Sequence, residues 1–178
     1  MCMGDSVNRV DSACSVYELT FDGAFMARGF WLYVWEITTE KDVLYYVGRT
    51  GDSSSSKAQS PFNRMGQHLG SNEKNNVLRR HLKNKNIDPE TCRFRLVTYG
   101  PILEEAVTQS EHRVRRDTIA AQERALTEAM VEVGYSVINR VRCRKPLDAR
   151  VFDRVKAVFA THFPKLRRHV AEIRTTAI

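Results

Sequence analysis

Apolar positions along this chain change period several times, and each change marks an element. Residues 30–38 (Phe-Trp-Leu-Tyr-Val-Trp-Glu-Ile-Thr) form a dense run of aromatic and β-branched types, and Val43 to Gly48 form a second after a polar turn at Thr39 to Asp42. Together they predict an antiparallel hairpin. Cys92 to Tyr99 alternates Phe94, Leu96 and Thr98 with Arg93, Arg95 and Val97, which predicts a third strand ended by Gly100-Pro101. Val16 to Phe21 also alternates and predicts a short strand before a turn at Asp22-Gly23.

Helical signals fill the remainder. Ser60 is a capping residue followed by Pro61, which predicts a helix to about Leu69, stopped by Gly70. A short helix is expected over about Asn76 to Lys85, carrying Arg79, Arg80, His81, Lys83 and Lys85. A long one is expected from Leu103 to Val133, bent near Arg116 to Thr118 and stopped by Gly134. Asp148 to His162 and Lys165 to Thr175 read as helices broken at Pro164. Residues 51–60 form a Ser-rich loop. The expected fold class is α+β, a small three-stranded antiparallel sheet flanked by helices.

Composition narrows the class. A chain of 178 residues that is 42% hydrophobic forms one domain, or one domain with an appendage, and buries a core. No apolar run approaches the roughly 20 residues that cross a bilayer. Asp5, Arg9 and Asp11 interrupt the N-terminal region where a signal peptide is apolar. Cys2, Cys14, Cys92 and Cys143 are scattered and read as free thiols of a reducing compartment, and the five histidines lack zinc-ligand spacing. The expected location is cytoplasmic, at the nucleoid or nuclear in a eukaryote, and not secreted.

Charge is unevenly distributed. Residues 140–178 hold eleven Lys/Arg against three Asp/Glu, whereas residues 1–139 hold seventeen against eighteen. A concentrated basic segment is the footprint of a polyanion binder, or the solvated face of a basic helix. The apolar positions Val151, Phe152, Val155, Val158 and Phe159 either dock a partner or pack on the domain.

The chemistry-bearing residues are spread through these elements. Tyr33 lies in the first strand, Tyr46-Val47-Gly48-Arg49 closes the second, Arg64 and His68 share one face of the next helix, and Glu123 sits on the long one. A glutamate holds a hard cation through oxygen, an arginine fork meets two phosphate oxygens, and a tyrosine or histidine moves a proton. Gly48 sets the register of Tyr46, so neighbouring Tyr45 is expected on the opposite face of the sheet. Glu128 is a second possible ligand, about 140° further round the helix than Glu123. His81 and His112 read as surface residues.

In order and spacing these residues resemble the GIY-YIG nuclease family. Trp31-Leu32-Tyr33 and Tyr46-Val47-Gly48 correspond to its two strand motifs, thirteen positions separating the tyrosines. Arg64 to His68 corresponds to its arginine helix, Glu123-Arg124-Ala125-Leu126 to its metal-ligand segment, and Val137-Ile138-Asn139 to its asparagine. Trp31 departs from the family's first glycine, and the loop before Arg64 is longer than usual. The resemblance covers about residues 30–140. It implies an N-terminal extension over 1–28, a nuclease domain over 29–140 and a basic helical C-terminal extension over 141–178 packed on that domain.

The resemblance further implies a metal-dependent DNA endonuclease, of restriction type or a stand-alone repair or defence enzyme. Tyr33, Tyr46, Arg64, His68 and Glu123 are the implied catalytic residues, with Glu123 holding Mg2+ (or Mn2+) and either Tyr33 or His68 as general base. Gly48 and Asn139 are structural neighbours of the site. DNA is the expected partner, contacted by Arg49, Lys57, Arg140, Arg142, Arg144 and Lys145. A homodimer or a protein partner completes a restriction-type assembly. Two rival readings are a catalytically idle nucleic-acid-binding module and a nuclease subunit that needs a partner protein.

Overall fold

The structure, a computed structural model, describes residues 15–52, 57–72 and 74–167. Three strands, β1 (Phe30–Thr38), β2 (Val43–Arg49) and β3 (Arg93–Leu103), form one antiparallel sheet in the order β2-β1-β3. Four helices flank it: α1 (Pro61–Leu69), α2 (Val77–Lys83), α3 (Gln109–Glu132) and α4 (Ala149–His162). The fold is therefore α+β, with a three-stranded antiparallel sheet between helices.

The central strand explains the layering. Every residue from Phe30 to Trp35 is buried, so β1 faces apolar neighbours on both sides. Its alternate residues separate two cores. Phe30, Leu32 and Val34 pack with Ile119, Leu126 and Met130 of α3 and with Val155 and Phe159 of α4. Tyr33, Trp35 and Ile37 pack with Leu78 and Leu82 of α2, and with Met65 and Leu69 of α1. The apolar face of α4 thus belongs to the domain's own core. Val155 and Phe159 are fully buried, and Phe163 and Leu166 extend that face.

Several element boundaries differ from the sequence-based expectations. Val16 to Phe21 is not a strand: no packed layer covers its apolar residues, which stand in solvent, with Val16 and Tyr17 almost fully exposed. β3 does not end at Gly100-Pro101 but continues to Leu103, with a register shift opposite Phe30 and Leu32. Gly100, at φ +153°, lies against the Trp31 indole, where a Cβ would come within 2.7 Å of the ring. Trp31 therefore occupies its strand position through a close approach to bare backbone.

The long helix starts at Gln109, not Leu103, because a capping box between Thr108 and Glu111 fixes its first turn, and it runs unbroken through Arg116 to Thr118. Ser60 caps α1 as its position predicts, and Asp148, expected as the first residue of α4, is its N-cap. The helix expected from Lys165 to Thr175 begins at Lys165 and lies beyond Arg167 outside the described residues, as do Cys2 and Cys14. Among the described residues no helix is long and apolar enough to cross a membrane.

The outer edge of β2 is closed without a fourth strand. Tyr45 N–H donates to the Ser136 carbonyl, and Ile138 N–H donates to the Tyr45 carbonyl, at 2.9 and 2.8 Å. Asn139 then continues the ladder with its side chain. Its Oδ1 accepts from Val47 N–H at 3.0 Å and its Nδ2 donates to the Val47 carbonyl at 2.7 Å. A side-chain amide has the donor and acceptor spacing of a peptide, so it covers the strand edge where the backbone turns away. Asn139→Ala leaves both Val47 groups buried and unpaired. It is expected to cost about 2–4 kcal/mol of stability, read as a lower denaturant midpoint at unchanged slope.

Candidate functional site

Tyr33 is the centre of the site, and its place follows from the strand register. It stands on β1 opposite Gly48 of β2, and Tyr46 stands opposite Trp35 on the same face. A Cβ at position 48 would overlap the Tyr33 ring and hydroxyl, so only glycine provides this seat. Tyr45 points to the other layer, where its ring meets those of Tyr135 and Phe163 at 4.8 and 5.9 Å between centroids.

Helix α1 crosses this face with Arg64 and His68 one turn apart. His68 Nε2 lies 2.6 Å from the Tyr33 hydroxyl, a buried hydrogen bond whose donor depends on the imidazole tautomer. The His68 ring also meets Tyr46 edge-on at 5.2 Å. Arg64 Nη2 donates to Asp52 Oδ2 at 2.9 Å, and its Nη1 donates to Gln67 Oε1 at 3.0 Å. Arg64 Nε and His68 Nδ1 are buried without a hydrogen-bond partner.

Glu123 comes from α3, in the opposite helical layer, and meets the site at the Arg49 end of β2. Its Oε2 accepts from Arg49 Nε at 2.9 Å, the two side chains keeping only 14% and 16% of their exposure. Glu128 is exposed, whereas Glu123 is close enough to Tyr33 and Tyr46 to influence both phenols. Arg49, expected among the DNA-binding cations, is instead drawn inward as the counter-ion of Glu123, with its Nη1 buried and unpartnered.

Burial dominates the electrostatics. It pushes the Glu123 carboxyl up to about 7, a rise that Arg49 and Arg64 oppose and Asp52 reinforces. Burial, aided by the positive charge of Arg64 and by His81, pushes the His68 imidazole down to about 3. Both phenols are held above the ordinary tyrosine range, again by burial first, with Arg64 opposing it at Tyr33. At neutral pH the site thus holds two neutral phenols and a neutral imidazole beside arginines, with a carboxyl that is half ionised. In the tautomer protonated at Nδ1, the neutral imidazole accepts a hydrogen bond from the Tyr33 hydroxyl.

Two nearby residues were not foreseen. Asp52 anchors Arg64 from a loop whose composition carries no catalytic signal. His81, expected at the surface, faces inward from α2 with its ring 5.8 Å from that of Tyr46. Burial and the neighbouring Arg80 and Lys85 lower its pKa. His112, also expected at the surface, is fully buried against the Phe30 ring at 5.2 Å, because α3 turns its first-turn histidine toward β1. Lys57, Arg140, Arg142, Arg144 and Lys145 are all exposed. The last four lie in an irregular segment, not a helix, and Lys145 pairs with Asp117 of α3 at 2.8 Å.

The donor set bears on a metal. Among the described residues no three His, Cys, Asp or Glu side chains converge. Glu123 offers one hard carboxylate, and its raised pKa shows that Arg49 does not fully offset its desolvation. A further cation there is electrostatically favourable. One carboxylate, with phosphate and water oxygens filling the shell, fits Mg2+ or Mn2+. In comparisons with known proteins, the chain matches no family model, no curated protein and no solved structure.

Two consequences are measurable. The folded-state pKa of Glu123 lies above its unfolded value, so the folded chain binds more protons between about 4.5 and about 7, and this group's contribution to stability falls as pH rises through that window. Glu123→Gln removes that loss. Its stability relative to the parent is expected to improve between about pH 5 and about pH 8, and an unchanged difference would rule out a raised carboxyl. Gly48→Ala forces the Tyr33 ring aside, and a destabilisation of about 1–3 kcal/mol is expected. The Tyr33–His68 contact should be lost with it, visible in the His68 imidazole NMR signals.

Proposed function

We propose that this protein is a metal-dependent DNA endonuclease that hydrolyses phosphodiester bonds with GIY-YIG-type chemistry. The observation that carries the reading is the convergence of Tyr33, Tyr46, Arg64, His68 and Glu123, from four elements and across ninety positions of sequence, around one hydrogen bond of 2.6 Å. Each group has a task in phosphodiester hydrolysis. The Tyr33–His68 pair takes the proton of the attacking water, Tyr33 at the water and His68 behind it, the negative charge of the arriving phosphate opposing the burial and the Arg64 charge that lower the imidazole's basicity. Arg64 exchanges Asp52 for the phosphate and stabilises the charge that develops on the phosphorus oxygens. Tyr46 positions the phosphate from the same sheet face.

Glu123 would hold a divalent cation, which would supply Lewis-acid charge at the phosphate. Arg49 holds that carboxylate in place and offsets part of its desolvation. By the resemblance, cutting leaves a 5′ phosphate. The exposed cations Arg140, Arg142, Arg144 and Lys145, with Lys57, grip the DNA backbone without reading sequence, so the C-terminal region serves as a basic extension of the nuclease domain. The reading covers a restriction-type or a stand-alone repair or defence enzyme, acting on DNA in the cytoplasm, nucleoid or nucleus.

Supercoiled plasmid incubated with Mg2+ is expected to be nicked or linearised, and EDTA is expected to stop it. Glu123→Gln, Arg64→Ala and Tyr33→Phe should each lower the rate by about 100-fold or more while the chain stays folded. Tight DNA binding without cutting, unchanged by these substitutions, would convert the reading to an idle binding module. Cutting that appears only with an added protein would make this chain a partner-dependent subunit.

A further inference from the structure

A second surface adjoins Arg64, and the fold gives no reason for its composition. A cleft of about 340 Å³ is lined by Asn63, Gly66, Gln67 and Gly70 of α1 and its C-cap, and by Asn72 and Asn75 of the following loop. The α1 residues follow i, i+3, i+4, i+7 spacing, so they form one stripe along the helix. None of the six carries a charge, and four are primary amides. The cleft communicates directly with the catalytic cluster, because Gln67 Oε1 accepts from Arg64 Nη1 at 3.0 Å.

Gly66 is the most informative member. It sits in the interior of α1, where glycine costs about 1 kcal/mol relative to alanine. Among the described residues, a Cβ built on it meets nothing within 4 Å. Neither backbone conformation nor packing requires glycine there, unlike Gly48, whose Cβ would overlap Tyr33. A helix glycine that the chain's own packing does not need leaves room for something outside the chain to approach the helix backbone closely.

The chemistry of the lining identifies that visitor. Primary amides present a donor and an acceptor side by side, which matches the paired donor and acceptor on a base edge, adenine above all. An uncharged cleft is poorly suited to phosphates, which are met by cations elsewhere on the surface. Resting on the nuclease reading, we infer that this cleft reads base edges of the DNA next to the scissile phosphate, with Asn63 and Gln67 as specificity-determining side chains and Gly66 as the point of closest approach. Through its hydrogen bond to Arg64, Gln67 couples base contact to the position of the phosphate clamp.

The test exploits opposite signs. Gly66→Ala is expected to raise the melting temperature, as alanine does in an open helix position, yet to weaken DNA binding and cutting by about tenfold. Asn63→Ala with Gln67→Ala is expected to cut more slowly, since Gln67 holds Arg64, and to broaden the base preference of the ends it does leave, read by sequencing the termini from a randomised duplex library. A Gly66→Ala protein that melts higher and cuts with the parent's rate and end sequences, together with unchanged ends in the double variant, would overturn this inference and leave the nuclease reading standing. A parent protein that neither binds nor cuts the library would overturn both.

Discussion

The site depends on one steric constraint, the seating of the Tyr33 ring on the bare backbone of Gly48. The two residues face each other across the first two strands, and no side chain larger than hydrogen fits beneath the phenol. That seat directs the hydroxyl toward His68 on the helix above. The same register turns Tyr46 onto this face and Tyr45 into the other core. A slip of one residue would exchange the two faces, burying Tyr45 in the site and exposing the core. The edge of β2 is accordingly held by the 135–139 segment, in which the Asn139 amide pairs with both polar groups of Val47.

Burial converts that arrangement into chemistry. A histidine in water is partly charged near neutrality, and a glutamate fully so. Here desolvation reverses both tendencies, keeping the imidazole neutral and holding the carboxyl at about 7. Two arginines prevent the cluster from becoming apolar, each held by its own carboxylate: Arg49 by Glu123 and Arg64 by Asp52. The result is a cluster in which the phenols and the imidazole are uncharged and two guanidinium groups stand beside them.

The stability of this arrangement comes from the layers around it. The central strand is buried on both faces, and the layers that cover it differ in kind. The face bearing Tyr33 is covered by two short helices that carry Arg64, His68 and His81, while the other is covered by the long α3 and by α4. Glu123 is the exception, reaching the site from the layer that mainly forms the core. Its pairing with Arg49 at the last residue of β2 ties the two layers together at the functional end of the strand.

Local rules in the sequence determined the strand hairpin, the Ser60 cap and the opposite facing of Tyr45 and Tyr46, because each rests on period, capping chemistry or pleat within a few positions. Val16 to Phe21 failed as a strand because no packed layer covers its apolar positions, which alternation alone does not supply. Gly100-Pro101 failed as a terminator because the Trp31 indole sits against Gly100 and the strand resumes beyond it. His81 and His112 looked like surface residues because helical periodicity does not say which neighbouring layer a face meets. Asp52 and the inward role of Arg49 carried no sequence signal, since both depend on charges brought from distant segments. Tertiary structure alone decided those long-range pairings, and with them the protonation states of Glu123 and His68, because desolvation is a property of the packed molecule and not of any stretch of chain.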